Sequence, residues 1–457
     1  MVLILEDKIN LATPECQIGG MATWSTRDHI TTMYTIMKVK EELNEPAIFT
    51  FADLRSCFDR IQLQDVVFDI ADAGADLKAL KVAHDLARET HIKIAGDPCQ
   101  ERSAVVMDTT GQGTSLAPKA TSLSVGKTTD QSMSLEDCVK IGDMNVPPRV
   151  FVDDNSIPNK DEDAARGNGE AFSRAIDLLS LEANSTKSSV VVCGGNNQKV
   201  KRSRQDLTEN PVKFQGQEVG VKESDQYLGV NINQKGFNAS LKTTIKQRIN
   251  RAWNRVINAQ AVQQFGWLNA GTVLARSILP PILTYLAESW IGCPKYYMEL
   301  VESAWKKMIY MIFQIPEKTK FSAVLLELGL TRMKSYIHKL QLNYYNKVVW
   351  KMKGTVIHEV LVEEHKIRGP RSTLALVDDL AESYGLKKIS EAFTPKKVIK
   401  DVIRQESDKT LWLDCMKSSL IKTRDYFGIW CERQVSLQMD KNHGSSISWM
   451  ALWFTQV

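Results

Sequence analysis

Apolar positions recur at helical spacing over residues 26–39, where Ile30, Met33, Tyr34 and Met37 share one face. A polar break at 41–46 follows. Residues 47–54 form a short, mostly apolar run that reads as a buried strand with Asp53 near its end. Helical spacing returns at 61–73 and 78–88, and residues 91–95 alternate like a strand. A Gly-containing turn at 112–117 leads into a helix ending near 127, and the polar stretch 128–145 reads as a loop.

Two strand-like runs, 150–152 and 155–157, flank an acidic two-residue turn, Asp153-Asp154. Residues 162–180 read as a helix weakened by Gly167 and Gly169, and 188–193 as a clear β run. The polar, basic stretch 194–210 reads as a loop, 212–221 as a hairpin and 227–232 as one strand. After Gly236 the period changes. Leu241, Ile245, Ile249, Trp253 and Val256 keep helical spacing, and nearly everything beyond is helical, with breaks at Pro280–Pro281, Pro294, Pro316 and Gly369–Pro370. The expected class is therefore α+β to about residue 233, then mostly helix.

Composition narrows this picture. The 457 residues allow two to four domains, and 43% hydrophobic with 25% charged residues excludes wholesale disorder. Eight Cys are scattered without a CxxC pair and without a secretory leader, which points to a reducing, intracellular compartment, nucleus or cytoplasm alike. No charge-free apolar run reaches the ~18–20 residues of a membrane span, so no membrane partner is expected. The net charge of +4 hides an asymmetry. Residues 231–353 hold 18 Lys and Arg against 5 Glu and no Asp, a net of +13, so the remainder carries −9. Such a stretch suits a polyanion. On the predicted helix from Leu241, Lys242 and Lys246 form one basic row and Arg248, Arg251 and Arg255 another; they either meet phosphates or make an ordinary solvated face.

The candidate chemistry is acidic. An Asp at the end of one apolar strand and an Asp-Asp turn elsewhere can bring three carboxylates, Asp53, Asp153 and Asp154, to one place. Taken alone, the Asp153-Asp154 turn is better explained as a solvated turn. Together they offer oxygen-only ligands, which favour Mg²⁺ or Mn²⁺, and two such ions can clamp a phosphoryl transfer.

Several segments in order extend this. They are Gln17-Ile18-Gly19 through Ser25-Thr26-Arg27-Asp28-His29, Asp53–Asp59, Gln112-Gly113-Thr114-Ser115-Leu116-Ala117-Pro118, Phe151-Val152-Asp153-Asp154, Asn184-Ser185-Thr186-Lys187 and Tyr227-Leu228-Gly229-Val230. In this order they resemble a fingers block and motifs A to E of the reverse transcriptase domain of non-LTR (LINE-like) retrotransposons. The resemblance implies a right-hand polymerase: an antiparallel palm sheet with flanking helices, partial fingers at 1–46, palm at 47–233, helical thumb at 234–353 and a helical extension of unknown role at 354–457. It implies RNA-directed DNA polymerisation, with an RNA template, a DNA primer and dNTPs as partners.

The same resemblance implies the roles. Asp53 and Asp153 would hold two Mg²⁺ or Mn²⁺ ions with Asp154 assisting. Lys187 would protonate the leaving pyrophosphate or hold a phosphate. Phe58 would stand at the gate against a ribose 2′-hydroxyl, or simply pack in the core. Gln112 and Gly113 would lie against nucleotide and template, and Tyr227, Leu228 and Gly229 would brace the primer end. The chain opens close to the fingers block, and Met21, Ala22 and Trp24 stand where many relatives carry aromatic or basic residues. An N-terminally truncated enzyme with weak activity is therefore the expectation, beside a decayed retroelement fragment or a host-adopted nucleic-acid-binding protein on the same fold.

Overall fold

In the computed structural model, residues 2–21, 24–87, 89–94, 102–107, 117–194, 197–259 and 267–417 are described. The chain begins α1 (Val2–Ala12), α2 (Thr26–Glu42), β1 (Ala47–Ala52), α3 (Cys57–Arg60), α4 (Leu63–Asp72), α5 (Leu77–Ala87), β2 (Glu89–Ile94), β3 (Arg102–Met107) and α6 (Ala117–Ser132). It continues through β4 (Lys140–Ile141), β5 (Met144–Asn145), β6 (Arg149–Phe151), β7 (Asp154–Asn159), α7 (Glu162–Leu178), β8 (Ser189–Cys193) and α8 (Gln198–Glu209). Then come β9 (Val212–Phe214), β10 (Gln217–Val219), β11 (Ser224–Tyr227), β12 (Val230–Asn233) and α9 (Phe237–Asn258), after which the described residues are mainly helical. This is the expected α+β class. Packing divides the chain into two units, Met1–Thr244 with Val348–Leu376, and Ile245–Lys347 with Val377–Val457. The expected segments 1–46 and 47–233 thus share one unit, joined by the helix Val356–Arg368, which packs on α2.

The first unit is organised by a four-stranded antiparallel sheet in the order β6-β7-β1-β8. Strand side chains alternate between faces. Ile48, Ala52, Val150, Ile157, Val190 and Val192 therefore share one core with Phe172 and Ile176 of α7 and Leu123 of α6. α7 starts cleanly because Asp161 accepts a hydrogen bond from the Ala164 N–H at 2.8 Å. The other sheet face meets α2, where the Ser156 hydroxyl donates to Met33 Sδ at 3.8 Å, and the hairpin β11–β12, whose Tyr227 ring lies 5.5 Å from that of Phe51.

Four elements differ from the sequence expectation. Phe151 pairs with Asp154, so the turn is Val152-Asp153, one residue earlier than expected. Residues 128–145 are not a plain loop: α6 runs on to Ser132, and β4 pairs with β5. Residues 194–210 contain α8, capped by the Asn197 side chain and burying Val200, Ser203 and Leu207. That helix hides behind basic and acidic side chains that face solvent or other polar groups, yet its spacing of three and four is present. Residues 227–232 are two strands separated by Leu228-Gly229, both at positive φ. The turn at 112–117 lies outside the described residues up to Leu116.

The second unit buries Trp290, Trp305 and Tyr345 completely, and packs the helix Phe321–Glu327 on Lys396–Met416. Arg332 ties these together through Asp414 and the Ser322 hydroxyl. Asn346 and Thr394 exchange a reciprocal pair of hydrogen bonds at 2.7 and 3.0 Å. Trp305, Tyr310, Tyr344 and Tyr345 are core, as their spacing suggests, whereas Trp350 is exposed. No helix among the described residues is long and apolar enough to cross a membrane.

One polar knot inside the first unit is open to test. The buried Asn159 amide donates to Thr50 Oγ1 at 3.0 Å and to the Ile157 carbonyl at 2.9 Å, and its oxygen accepts from Asn168 at 3.0 Å. Asn159→Ala should cost about 1–3 kcal/mol, because the buried Asn168 amide and Thr50 hydroxyl lose their partner. Urea unfolding of wild type and variant measures this, and an unchanged midpoint would refute it.

Candidate active site

Asp53 follows the last residue of β1. The β1–β7 register ends with Ala52 opposite Asn155, and the Asp53 charge lies near enough to Asp153 and Asp154 to raise both their pKa values. The Asp53 backbone is tied to the segment before β8: its N–H donates to the Ser188 hydroxyl at 3.1 Å, and its carbonyl accepts from the Asn184 N–H at 2.8 Å. Immediately after it the chain leaves along Arg55, which with Arg60 forms ion pairs to Glu182 at 2.6 and 2.8 Å.

Asp153 occupies the second position of the β6–β7 turn. Val152, the first position, has φ +60°. A β-branched residue rarely adopts this conformation, and such strain costs about 1–3 kcal/mol where surroundings enforce it. Enforcement comes from Gln17. Its Oε1 accepts from the Val152 N–H at 3.0 Å and its Nε2 donates to the Val152 carbonyl at 3.3 Å. On the other side of the turn, the Asn155 amide donates to the Asp153 carbonyl at 2.8 Å.

The three carboxylates are electrostatic neighbours. Desolvation raises the Asp153 pKa, and the Asp53 charge raises it further, while Lys187 pulls it down. Asp154 is pushed up to about 6 by desolvation and by the charges of Asp153 and Asp53. It is exposed by area, yet its carboxyl is crowded enough by protein and like charge to keep its proton above the usual carboxylate range. Lys187 reaches Asp53 Oδ2 at 3.8 Å with its ammonium largely in solvent. The described residues contain no set of three His, Cys, Asp or Glu side chains drawn in as a ready metal cage.

The other expected site residues divide. Lys242, Lys246, Arg251 and Arg255 are exposed along α9. Arg248 is not. It lies on the buried stripe of Leu241, Thr244, Ile245, Ala252 and Val256, and its guanidinium stacks 4.1 Å from the Tyr285 ring centroid. Spacing explains this: 241, 245, 248, 252 and 256 follow one helix face. Tyr227 is also corrected, because its side chain is buried and its hydroxyl donates to the Arg149 carbonyl at 2.8 Å, with His29 Nδ1 at 3.1 Å. It braces the sheet and cannot touch a primer with its ring. Leu228 and Gly229 form the half-exposed turn beside it. Phe58 lies in α3, its side chain outside what is described, and Gln112 and Gly113 lie outside the described residues. Gln17 stood out in the sequence only as part of the fingers block, and its hold on Val152 was not read there, because a side-chain clamp on distant backbone leaves no local pattern.

The raised carboxylates make a pH prediction for the protein freed of divalent cations by a chelator. Folding raises the Asp154 pKa from 3.8 to about 6, so the folded state prefers the protonated form. Its stabilising contribution is complete below about pH 4 and is lost as pH rises through about 6. Asp154→Asn should flatten that part of the melting-temperature profile. Calorimetry from pH 4 to 7 decides; a variant profile parallel to wild type would contradict the assignment.

No protein-family profile matches the chain, and no curated protein matches it in sequence. Among solved structures, apo telomerase from Candida tropicalis overlays with TM-score 0.39 at 11% identity, covering 88% of this chain and 60% of that one. The same telomerase truncated from its C-terminal domain gives TM-score 0.36 at 14% identity, covering 51% and 43%. Telomerase from Candida albicans in complex with a fragment of telomeric RNA gives 0.35 at 11%, covering 87% and 56%. This chain thus spans between 43% and 60% of the length of these structures. A likeness this loose carries no functional weight.

Proposed function

We propose that the chain is a polymerase of the reverse transcriptase type, adding dNTPs to a primer 3′-hydroxyl on an RNA template. The observation that supports this best is the meeting of Asp53 and the β6–β7 hairpin at one end of the antiparallel sheet, where the Asp53 charge raises the pKa of Asp153 and of Asp154 and the Asp153 charge raises that of Asp154. Asp53 and Asp153 would hold the divalent cations, Mg²⁺ or Mn²⁺, with Asp154 assisting. Bound there, the cations would neutralise charge on the transferring phosphate and lower the pKa of the attacking hydroxyl.

The chain's own residues do the rest. Asp53 just beyond β1 and Asp153 and Asp154 at the β6–β7 turn would then supply the acceptor oxygens from one end of the sheet. Lys187 stands within ion-pair distance of Asp53 on a solvent-facing turn, where it can hold a phosphate oxygen or give its proton to the leaving oxygen. The exposed pairs Lys242 and Lys246, and Arg251 and Arg255, on different faces of α9, offer phosphate contacts to a template–primer duplex. Leu228 and Gly229 offer backbone at a tight turn for the primer end.

Steady-state primer extension on an RNA template tests the proposal. Activity should require Mg²⁺ or Mn²⁺, and Asp153→Asn should lower kcat at least ~100-fold, since removing a strongly interacting transition-state group typically costs that much. Extension by the Asp153→Asn variant at the wild-type rate would sink the proposal. Tight RNA–DNA binding without extension by either protein would favour the binding-only alternative.

A second prediction concerns affinity. Arg251→Glu with Arg255→Glu should weaken hybrid binding for all sequences alike and flatten its salt dependence, because fewer counterions are released. Arg248→Gln should act through stability instead, since that guanidinium is buried. Fluorescence anisotropy across a salt series reads both; unchanged affinity in the double variant returns α9 to an ordinary solvated face.

A further inference from the structure

We propose that Gln17 is a positioning residue of the carboxylate site, its carboxamide locking the backbone of Val152 and thereby setting where Asp153 and Asp154 present their oxygens. The inference rests on the reading of those carboxylates as a cation site.

An amide is the side chain this role needs, because it accepts and donates at once. Gln17 Oε1 takes the Val152 N–H, Nε2 gives to the Val152 carbonyl, and Oε1 also takes the Gly19 N–H at 2.9 Å. Gln17 itself is fixed from several directions. The segment around it runs parallel to β6, with the Ile18 N–H donating to the Val150 carbonyl at 3.1 Å and the Val150 N–H to the Cys16 carbonyl at 2.8 Å. α6 passes so close that a Cβ on Gly126 would lie 2.7 Å from Gln17 Cβ. The residue is 1% exposed, so its amide has no water to turn to. Gly19 completes the clamp: a Cβ there would lie 2.5 Å from both Val152 Cγ2 and Val152 N.

Together these contacts hold a β-branched residue at φ +60°, directly before Asp153. A turn held in an uncommon conformation relaxes when its clamp is removed, and the carboxylates at its tip move with it. A residue that only filled space would leave the tip, and its cation affinity, where they were.

The test uses the full chain as wild type, Gln17→Ala, Gln17→Glu and Gly19→Ala, with Mn²⁺ affinity read from the electron paramagnetic resonance of free Mn²⁺. Thermal melting in chelator and affinity for an RNA–DNA hybrid serve as controls. Gln17→Ala should weaken Mn²⁺ binding ~10–100-fold, the usual effect of losing a group that orients a ligand, with hybrid affinity kept. Gln17→Glu retains the acceptor for the two N–H groups and should recover part of the loss. If Gln17→Ala does not fold, Gly19→Ala decides, since it presses on Val152 from the other side and should weaken Mn²⁺ similarly. A folded variant at either position that binds Mn²⁺ as tightly as wild type overturns the proposal. A wild type that binds no Mn²⁺ overturns the cation-site reading beneath it, and the two failures are thereby told apart.

Discussion

The antiparallel register of β1 on β7 ends with Ala52 opposite Asn155, and that pairing brings Asp53 to the same sheet end as the β6–β7 turn. A slip of one residue would turn every side chain of β1 to the opposite face. It would send Ile48 and Ala52 out of the core and Asp53 away from its neighbours. The same five residue pairs that bury the strand therefore also assemble the acidic site. Fold and site share one constraint here, which is why the core on α7 and the polar knot at Asn159 bear on chemistry they do not touch.

Holding carboxylates together costs stability, and the structure places that cost where rigid neighbours can carry it. Desolvation and mutual repulsion keep Asp153 and Asp154 protonated beyond the usual carboxylate range. Val152 adds backbone strain at the same turn. Against this stand the sheet ladders on either side of β7, the Asn155 amide on the Asp153 carbonyl and the Gln17 clamp. Val152 is one of several non-glycine residues at positive φ, Leu228 and Leu286 among them, and it is the one that directly precedes Asp153. Lys187 offsets part of this repulsion, and on the proposed reading a divalent cation among the carboxylates would offset more.

Elements governed by local periodicity were legible in the sequence. The helix from Thr26, the strand ending before Asp53 and the long helix holding Leu241 and Ile245 lie where their spacing puts them. The positions of Asp53 just past a strand and of Asp153 and Asp154 at a hairpin were also legible, because both are local features. What was not legible depended on distant contacts. The turn sits one residue early, at Val152-Asp153, because Gln17 stabilises a conformation that Val would otherwise avoid. α8 was hidden because its apolar stripe is only Val200, Ser203 and Leu207 among charged neighbours. Arg248 was read as a surface cation from its residue type and Tyr227 as a primer contact from the resemblance, while position in the helix or hairpin put each side chain inside.

The central claim is that Asp53, Asp153 and Asp154 form one divalent-cation site at the sheet end. Crystals soaked with Mn²⁺ and a non-hydrolysable deoxynucleoside triphosphate, measured at the manganese absorption edge, test it most directly. The account predicts an anomalous peak bounded by Asp53 and Asp153 oxygens and by the triphosphate, absent from crystals of Asp53→Asn. Manganese bound elsewhere, or no peak between these carboxylates with the triphosphate in place, would contradict it.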